Sequence, residues 1–251
     1  MNQFKQQILN KRVQLGTLIS LPSTEIVEIL SQLGYDWLWL DMEHSVIDFL
    51  HLQQMIQAIR GQCASVIRVP YNDGVWIKKA LDIGCQGIIV PMVNSAEAAR
   101  AAIQAAQFPP QGHRSIGGTR ACSYGLHFQN YIAQANDEIA IMLQIEHIDA
   151  VNNIEAIVAV AGIDALIIGP FDLSASLGVL GHIHHQKVKQ AIEYVKEVCF
   201  HSGIPLGIYT PTAEMAKYYI QAGFVLVCIG QDSTFIYEGA RKLLHALEDN
   251  H

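Results

Sequence analysis

The stretch WLWLDMEHS, residues 37–45, decides how the rest of the sequence is read. From Trp37 to Leu40 neither alternating face carries a polar side chain, so as a strand this segment is buried on both sides. It then stops at Asp41, Glu43 and His44, three titratable groups in close succession. A strand covered on both faces implies helices over a sheet, and polar groups where it emerges imply a working rim. Outward from it, the same short aliphatic pattern recurs in LGTLIS (15–20), SVIRV (65–69), GIIVP (87–91), AIMLQIE (140–146), DALIIG (164–169), PLGIY (205–209) and VLVCIG (225–230). Helical periodicity fills the gaps at 23–33, 48–60, 73–83, 95–106, 149–160, 186–202, 212–222 and 234–248. Ser23 or Thr24 and Asn94-Ser95 are helix starts, and Gly34, Gly84, Gly162, Gly203 and Gly223 fall near helix ends.

Strands that alternate with helices pair in parallel, because each return crossover needs a helix to cover the sheet. Eight such units predict an α/β fold of the closed (β/α)8 TIM-barrel kind. A doubly wound open sheet would want a Gly-rich turn after its first strand, and SLPSTE is not one. No linker or composition shift divides the chain, so residues 1–251 are expected to form one domain. The segment 108–136 is long and rich in Gly and Pro, which marks it as a functional loop.

Composition narrows the function. A formal charge of -7 gives no basic face for nucleic acid. The polar N-terminus lacks the apolar core of a secretory signal, and no run is long enough to span a membrane. Five scattered cysteines without a C-x-x-C pair read as thiols in a reducing cytoplasm.

Barrel enzymes work at the face where strands finish. Here strand two ends in Asp41, Glu43 and His44, strand three in Arg68, and strand five in Gln144 and Glu146. Strand six ends in Gly169, Pro170, Phe171 and Asp172, and strand eight in Gln231 and Asp232. Singly, each is as well explained as a solvated strand end or a helix cap, Asp172 and Asp232 especially. Together they converge on one mouth. Glu146 and Asp172 would repel each other there unless a cation lay between them. Hard oxygen ligands suit Mg²⁺ or Mn²⁺, and a nearby imidazole leaves Co²⁺ or Zn²⁺ open. Arg68 adds a fixed donor fork, and His44 a group that exchanges protons near neutrality. A cation, a donor for developing negative charge and a base suit chemistry through an enolate. None of the lysines ends a predicted strand, which disfavours a Schiff-base route. No Gly-rich cradle for a phosphorylated substrate is seen.

The runs GYDWLWLDMEH, VIRVP, LDIGCQGIIVPMV, LQIE and IGPFDLSASLG, in this order, resemble the HpcH/HpaI aldolase family over nearly the whole chain. These are metal-dependent class II pyruvate aldolases on a barrel of the phosphoenolpyruvate/pyruvate-domain type. The resemblance implies that Glu146 and Asp172 ligate the metal, that Arg68 holds the carbonyl oxygen as it becomes an enolate, and that His44 is the acid/base. Gln144 would touch the substrate, and the backbone of Gly169, Phe171 and Asp172 would hold its carboxylate, Phe171 standing where the family often has a small residue. Asp82 would raise the basicity of His44 across a subunit contact, although a solvated carboxylate near a helix end is the plainer reading. The resemblance further implies a homohexamer whose last helix packs on a neighbouring barrel, with the RSIGGTR loop (114–120) closing over the substrate. The implied substrates are a 2-oxo acid and an aldehyde. Two rivals are a CoA-thioester lyase of the citrate-lyase β-subunit type and a barrel that binds a 2-oxo acid without catalysis. His182, His184 and His185 read as a solvated loop, and Trp37 and Trp39 as core.

Overall fold

The computed structural model describes residues 3–248. Among them, eight parallel strands close into a barrel in sequence order: β1 (Gln14–Ile19), β2 (Trp37–Asp41), β3 (Ala64–Arg68), β4 (Gly87–Val90), β5 (Ala140–Ile145), β6 (Ala165–Ile168), β7 (Leu206–Thr210) and β8 (Leu226–Gln231). Around them run α1 (Gln3–Leu9), α2 (Thr24–Leu30), α3 (Phe49–Ala58), α4 (Gly74–Asp82), α5 (Ala96–Ala106) and α6 (Phe128–Glu138). The second half carries α7 (Ile148–Asn152), α8 (Ile154–Val158), α9 (Pro170–Ser176), α10 (Gln186–Ser202), α11 (Ala213–Gln221) and α12 (Asp232–Glu248). All eight expected strands form, with ends moved by a residue or two.

The doubly apolar strands are explained by two cores. Alternate residues such as Trp37, Trp39, Val66, Met142, Ile167 and Leu226 fill the barrel interior. Their neighbours, among them Leu38, Leu40, Ile67, Leu143, Ile168 and Ile208, pack outward under the helices. Trp37 and Trp39 stack at 6.0 Å inside the barrel. Gly16 makes room for them, since a Cβ there would come within 2.3 Å of the Trp37 indole.

Three segments depart from expectation. Helix α1 was not foreseen; it plugs the base of the barrel with Phe4 and Ile8, and Lys5 Nζ pairs with buried Asp164 at 3.0 Å. The helix expected over 149–160 is broken into α7 and α8 at Asn153, whose side chain donates to the Asn94 carbonyl at 2.9 Å. The 108–136 segment is not one open loop, because it holds a 3-10 turn at Arg120–Gly125 and the first residues of α6. Helix α12 leaves the barrel: from Ile236 to Leu247 its residues are exposed, with Ile236, Leu243, Leu244 and Leu247 among them. No helix among the described residues is long and apolar enough to cross a membrane.

Candidate active site

The C-terminal ends of the strands enclose a cavity of about 450 Å³. Strand register sets its first pair, because Asp41 on β2 lies directly opposite Arg68 on β3. The guanidinium grips the carboxylate with both arms, Nε donating to Oδ1 at 2.8 Å and Nη2 to Oδ2 at 2.7 Å. Both side chains are buried, and Arg68 lies 5.0 Å over the Trp39 ring. The fork therefore cannot swing, and its third nitrogen, Nη1, points along the mouth. It lies 3.1 Å from Glu43 Oε2 and 3.5 Å from Gln144 Oε1.

Glu146, just past β5, is held at both oxygens. Oε1 accepts from the Met92 backbone N–H at 2.7 Å, and Oε2 accepts from the Gln144 side-chain amide. Met92 sits at φ 53, a strained conformation for a residue with a Cβ, and this turn aims its N–H at the carboxylate. Gly169, the residue after β6, packs against the same group. A Cβ there would lie 2.8 Å from both Gln144 Nε2 and Glu146 Oε2, so close approach, not backbone freedom, requires the glycine. Burial pushes the Glu146 carboxyl up to about 7, and the charges of Glu43 and Asp172 add to the effect. Glu43 is raised for the same reason, first by burial and then by Asp41 and Asp172, against the pull of Arg68 and His44.

Four carboxylates thus share a mouth with one arginine. Such an excess of acid suits a bound cation, which would relieve both the desolvation of Glu146 and its repulsion by Asp172. Among the described residues no three His, Cys, Asp or Glu side chains converge as a closed metal cage. Asp172 at the cavity wall and Glu146 just behind it offer hard oxygen donors that fit an ion keeping water or substrate oxygens in its shell.

The structure brings His44, Arg68, Gln144, Gly169, Phe171 and Asp172 to the wall of this cavity, with Glu146 buried behind Gly169. His44 is exposed at the rim. Asp172 lies in the first turn of α9 but does not cap it, since Gly169 holds the cap position. Asp232 does act structurally: its buried carboxylate accepts from Ser233 N and from Ser20 and Leu21 N, tying β8 to the end of β1. Asp82 is not at this mouth. It ends α4 on the opposite face, where its Oδ1 accepts from Arg114 Nη2 at 2.8 Å. The 114–120 loop, expected to close over the substrate in the assembly, lies beside Asp82 at this far end of its own barrel. Arg114 is buried over the Phe108 and Tyr131 rings, and Arg120 Nη1 donates to the Ile83 carbonyl, so both anchor the loop at the end of α4.

The strand-end pattern includes Asp41 and Glu43 without assigning either a role, and it does not single out Met92 or Tyr209. Tyr209, near the end of β7, was open to the same strand-end rule as the others. The Met92 contribution is a backbone N–H and leaves no signal in residue type. Among the described residues the histidines of 182–185 form no metal cluster, and His185 caps α10.

The profile of the HpcH/HpaI aldolase/citrate lyase family matches residues 14–238. The chain belongs to that family. It is 39% identical over 93% of its length to a 2-dehydro-3,6-dideoxy-6-sulfogluconate aldolase of Pseudomonas putida, covering 92% of that protein. It is 37% identical over 95% of its length to a 4-hydroxy-2-oxovalerate aldolase of Novosphingobium aromaticivorans, again covering 92%. The crystal structure of an HpcH/HpaI aldolase/citrate lyase family protein from Burkholderia cenocepacia superposes with a TM-score of 0.95 at 32% identity, over 99% of this chain and 100% of that one. The curated relatives are aldolases, enzymes that break carbon–carbon bonds.

Proposed function

We propose that this HpcH/HpaI family member reversibly cleaves a 4-hydroxy-2-oxo acid into pyruvate, or a close 2-oxo acid, and an aldehyde. The observation that carries the reading is Glu146, whose carboxyl is raised first by burial and then by Glu43 and Asp172, beside an Arg68 locked in place by Asp41. A divalent cation held by Glu146 and Asp172 would supply Lewis acidity to the carboxylate and carbonyl of the 2-oxo acid; the donors favour Mg²⁺ or Mn²⁺ over Co²⁺ or Zn²⁺. Arg68 Nη1 donates to the carbonyl oxygen as negative charge develops on it. The backbone of Gly169, Phe171 and Asp172 binds the carboxylate, and Gln144 lies against the substrate.

In cleavage His44, directly or through one water, takes the proton from the C4 hydroxyl. The C3–C4 bond then breaks, C4 becomes the aldehyde carbonyl, and the electron pair passes to the enolate of C2 and C3. Return of a proton to C3 gives pyruvate. Among the described residues lining the mouth there is no lysine, which fits this route and not a Schiff base.

The chain acts as one barrel domain in a homo-oligomer, a hexamer by resemblance. The exposed apolar side chains of α12 support this, as do the Nε and Nη1 of buried Arg114, which have no hydrogen-bond partner among the described residues. In such an assembly Asp82 would reach a neighbour's His44. Five buried, unbridged cysteines fit a reducing cytoplasm.

The test is exchange of the pyruvate methyl protons with solvent, followed by NMR in stripped and Mg²⁺- or Mn²⁺-loaded protein. Exchange that requires the metal and is lost in Glu146→Ala and Asp172→Ala supports the reading. Exchange that survives rigorous chelation overturns it. Cleavage of a CoA thioester without such exchange would favour the lyase alternative.

A further inference from the structure

The mouth is chemically divided. On one side stand Asp41, His44, Arg68, Gln144 and Asp172, which the proposed donor chemistry uses in full. On the other, just past β6 and near the end of β7, stand Phe171 and Tyr209, with Pro170, Leu18 and the uncharged Ser20, Gln231 and Thr234 beside them. The Ser20 hydroxyl and the Gln231 amide already donate to Asp232 and Ser233. The Phe171 and Tyr209 rings lie 6.2 Å apart at 55°, the tilted contact of an aromatic pair. Phe171 is nevertheless 42% exposed and faces the cavity with its ring incompletely covered. Burial pushes the Tyr209 phenol up to about 12, so this wall bears no charge at any ordinary pH. Among the described residues Arg68 is the one arginine lining the cavity and no lysine lines it; the Arg68 fork is already engaged by Asp41 and Glu43.

The geometry points to an uncharged aldehyde as the second substrate, its apolar chain lying against the Phe171–Tyr209 wall. This deepens the aldolase reading and rests on it. An aldehyde ending in a carboxylate or sulfonate would bring a second anion into a mouth that already holds four carboxylates and has no spare cation. No free cation of this chain would compensate its desolvation there. An alkyl or aromatic chain instead removes the open face of the Phe171 ring from water. The Phe171 and Tyr209 side chains are then specificity-determining, distinct from the side chains and the backbone that handle the 2-oxo acid.

The experiment compares aldol addition of pyruvate to pentanal and to succinic semialdehyde, aldehydes of similar length that differ in charge, using the metal-loaded full chain. The expected kcat/KM is roughly tenfold or more higher for pentanal. Phe171→Ala should reduce that preference about tenfold, and Phe171→Arg, which supplies the missing cation, should shift it toward succinic semialdehyde. A readout without turnover is saturation-transfer NMR from aromatic protein protons to pentan-1-ol. Transfer should occur in the native protein and fade in Phe171→Ala, and its absence from the native protein would count against the wall. Equal or greater kcat/KM for succinic semialdehyde overturns the proposal while leaving the aldolase reading intact. Loss of both addition and pyruvate proton exchange in the native, metal-loaded chain removes the aldolase reading and this inference with it.

Discussion

Replacing Glu146 by Gln separates the metal site from the fold. In the folded chain without metal, burial and the charges of Glu43 and Asp172 move this carboxyl from 4.5 to about 7. A group raised on folding lends stability that is fully present below pH 4.5 and is lost as pH climbs through 7. The displacement corresponds to about 3 kcal/mol between the two protonation states. At pH 8 the stripped wild-type chain therefore carries a buried charge that the neutral amide of the variant avoids. The Met92 N–H can still donate to the amide oxygen of the new side chain, and the Gln144 amide has only to turn, giving up a weak 3.5 Å contact with Arg68. Glu146→Gln is thus expected to stabilise the stripped protein at pH 8 by roughly 1–3 kcal/mol, and to have little effect at pH 5. Mg²⁺ should invert the ranking. At a hundredfold excess over its Kd it adds about 2.7 kcal/mol to the wild type and almost nothing to the variant. Urea denaturation at both pH values, with chelator and with Mg²⁺, reads all of these quantities. A variant less stable than wild type at pH 8 in chelator, yet equally responsive to Mg²⁺, would refute the account.

Other outcomes follow from the same contacts. Gly169→Ala forces a Cβ to 2.8 Å from Glu146 and Gln144, and should cost about 1–3 kcal/mol of stability together with a larger loss in kcat, read by melting and steady-state kinetics. Arg68→Lys keeps the charge but loses the paired grip on Asp41; kcat should fall about 10²–10³-fold, with KM for pyruvate changing less. Trp37→Ala opens a void between Phe4 and Trp39 and should cost about 3–5 kcal/mol, measurable by calorimetry, without a change in substrate preference. Leu243→Glu with Leu247→Glu should reduce the sedimentation coefficient if α12 docks on a second copy.

The barrel was legible because its physics is local and repetitive. Short, mostly apolar runs that end near polar groups and are followed by helices recur along the chain, and a closed parallel barrel covers such strands on both faces. Glu146 and Asp172 were legible for the same reason, since a strand end fixes where a side chain must emerge. What escaped was set by tertiary contact. Helix α1 has an unremarkable polar sequence and is defined by Phe4 and Ile8 reaching under Trp37. The break at Asn153 depends on a carbonyl 59 residues earlier in the chain. The position of the 114–120 loop follows from Arg114 burying itself over the Phe108 and Tyr131 rings, a choice that a string of Gly, Ser and Arg does not announce.

Asp41 shows why residue type alone undersold the site. By residue type it is one more strand-end carboxylate, as well explained by solvation as by chemistry. Its register opposite Arg68 assigns it a different task. An arginine free to rotate would collapse onto Glu146 or Asp172 and neutralise the charge that a cation needs. Held at two nitrogens by Asp41, it cannot, and only Nη1 remains for the mouth. The pairing thus keeps anionic ligands and a cationic donor side by side without letting them annihilate each other. Asp41→Asn should therefore weaken metal binding as well as catalysis, because an untethered guanidinium is drawn to the ligands. Titration of Mn²⁺ by electron paramagnetic resonance would show the lowered affinity. Unchanged Mn²⁺ binding in that variant would mean that the fork is held by Trp39 and Glu43 instead.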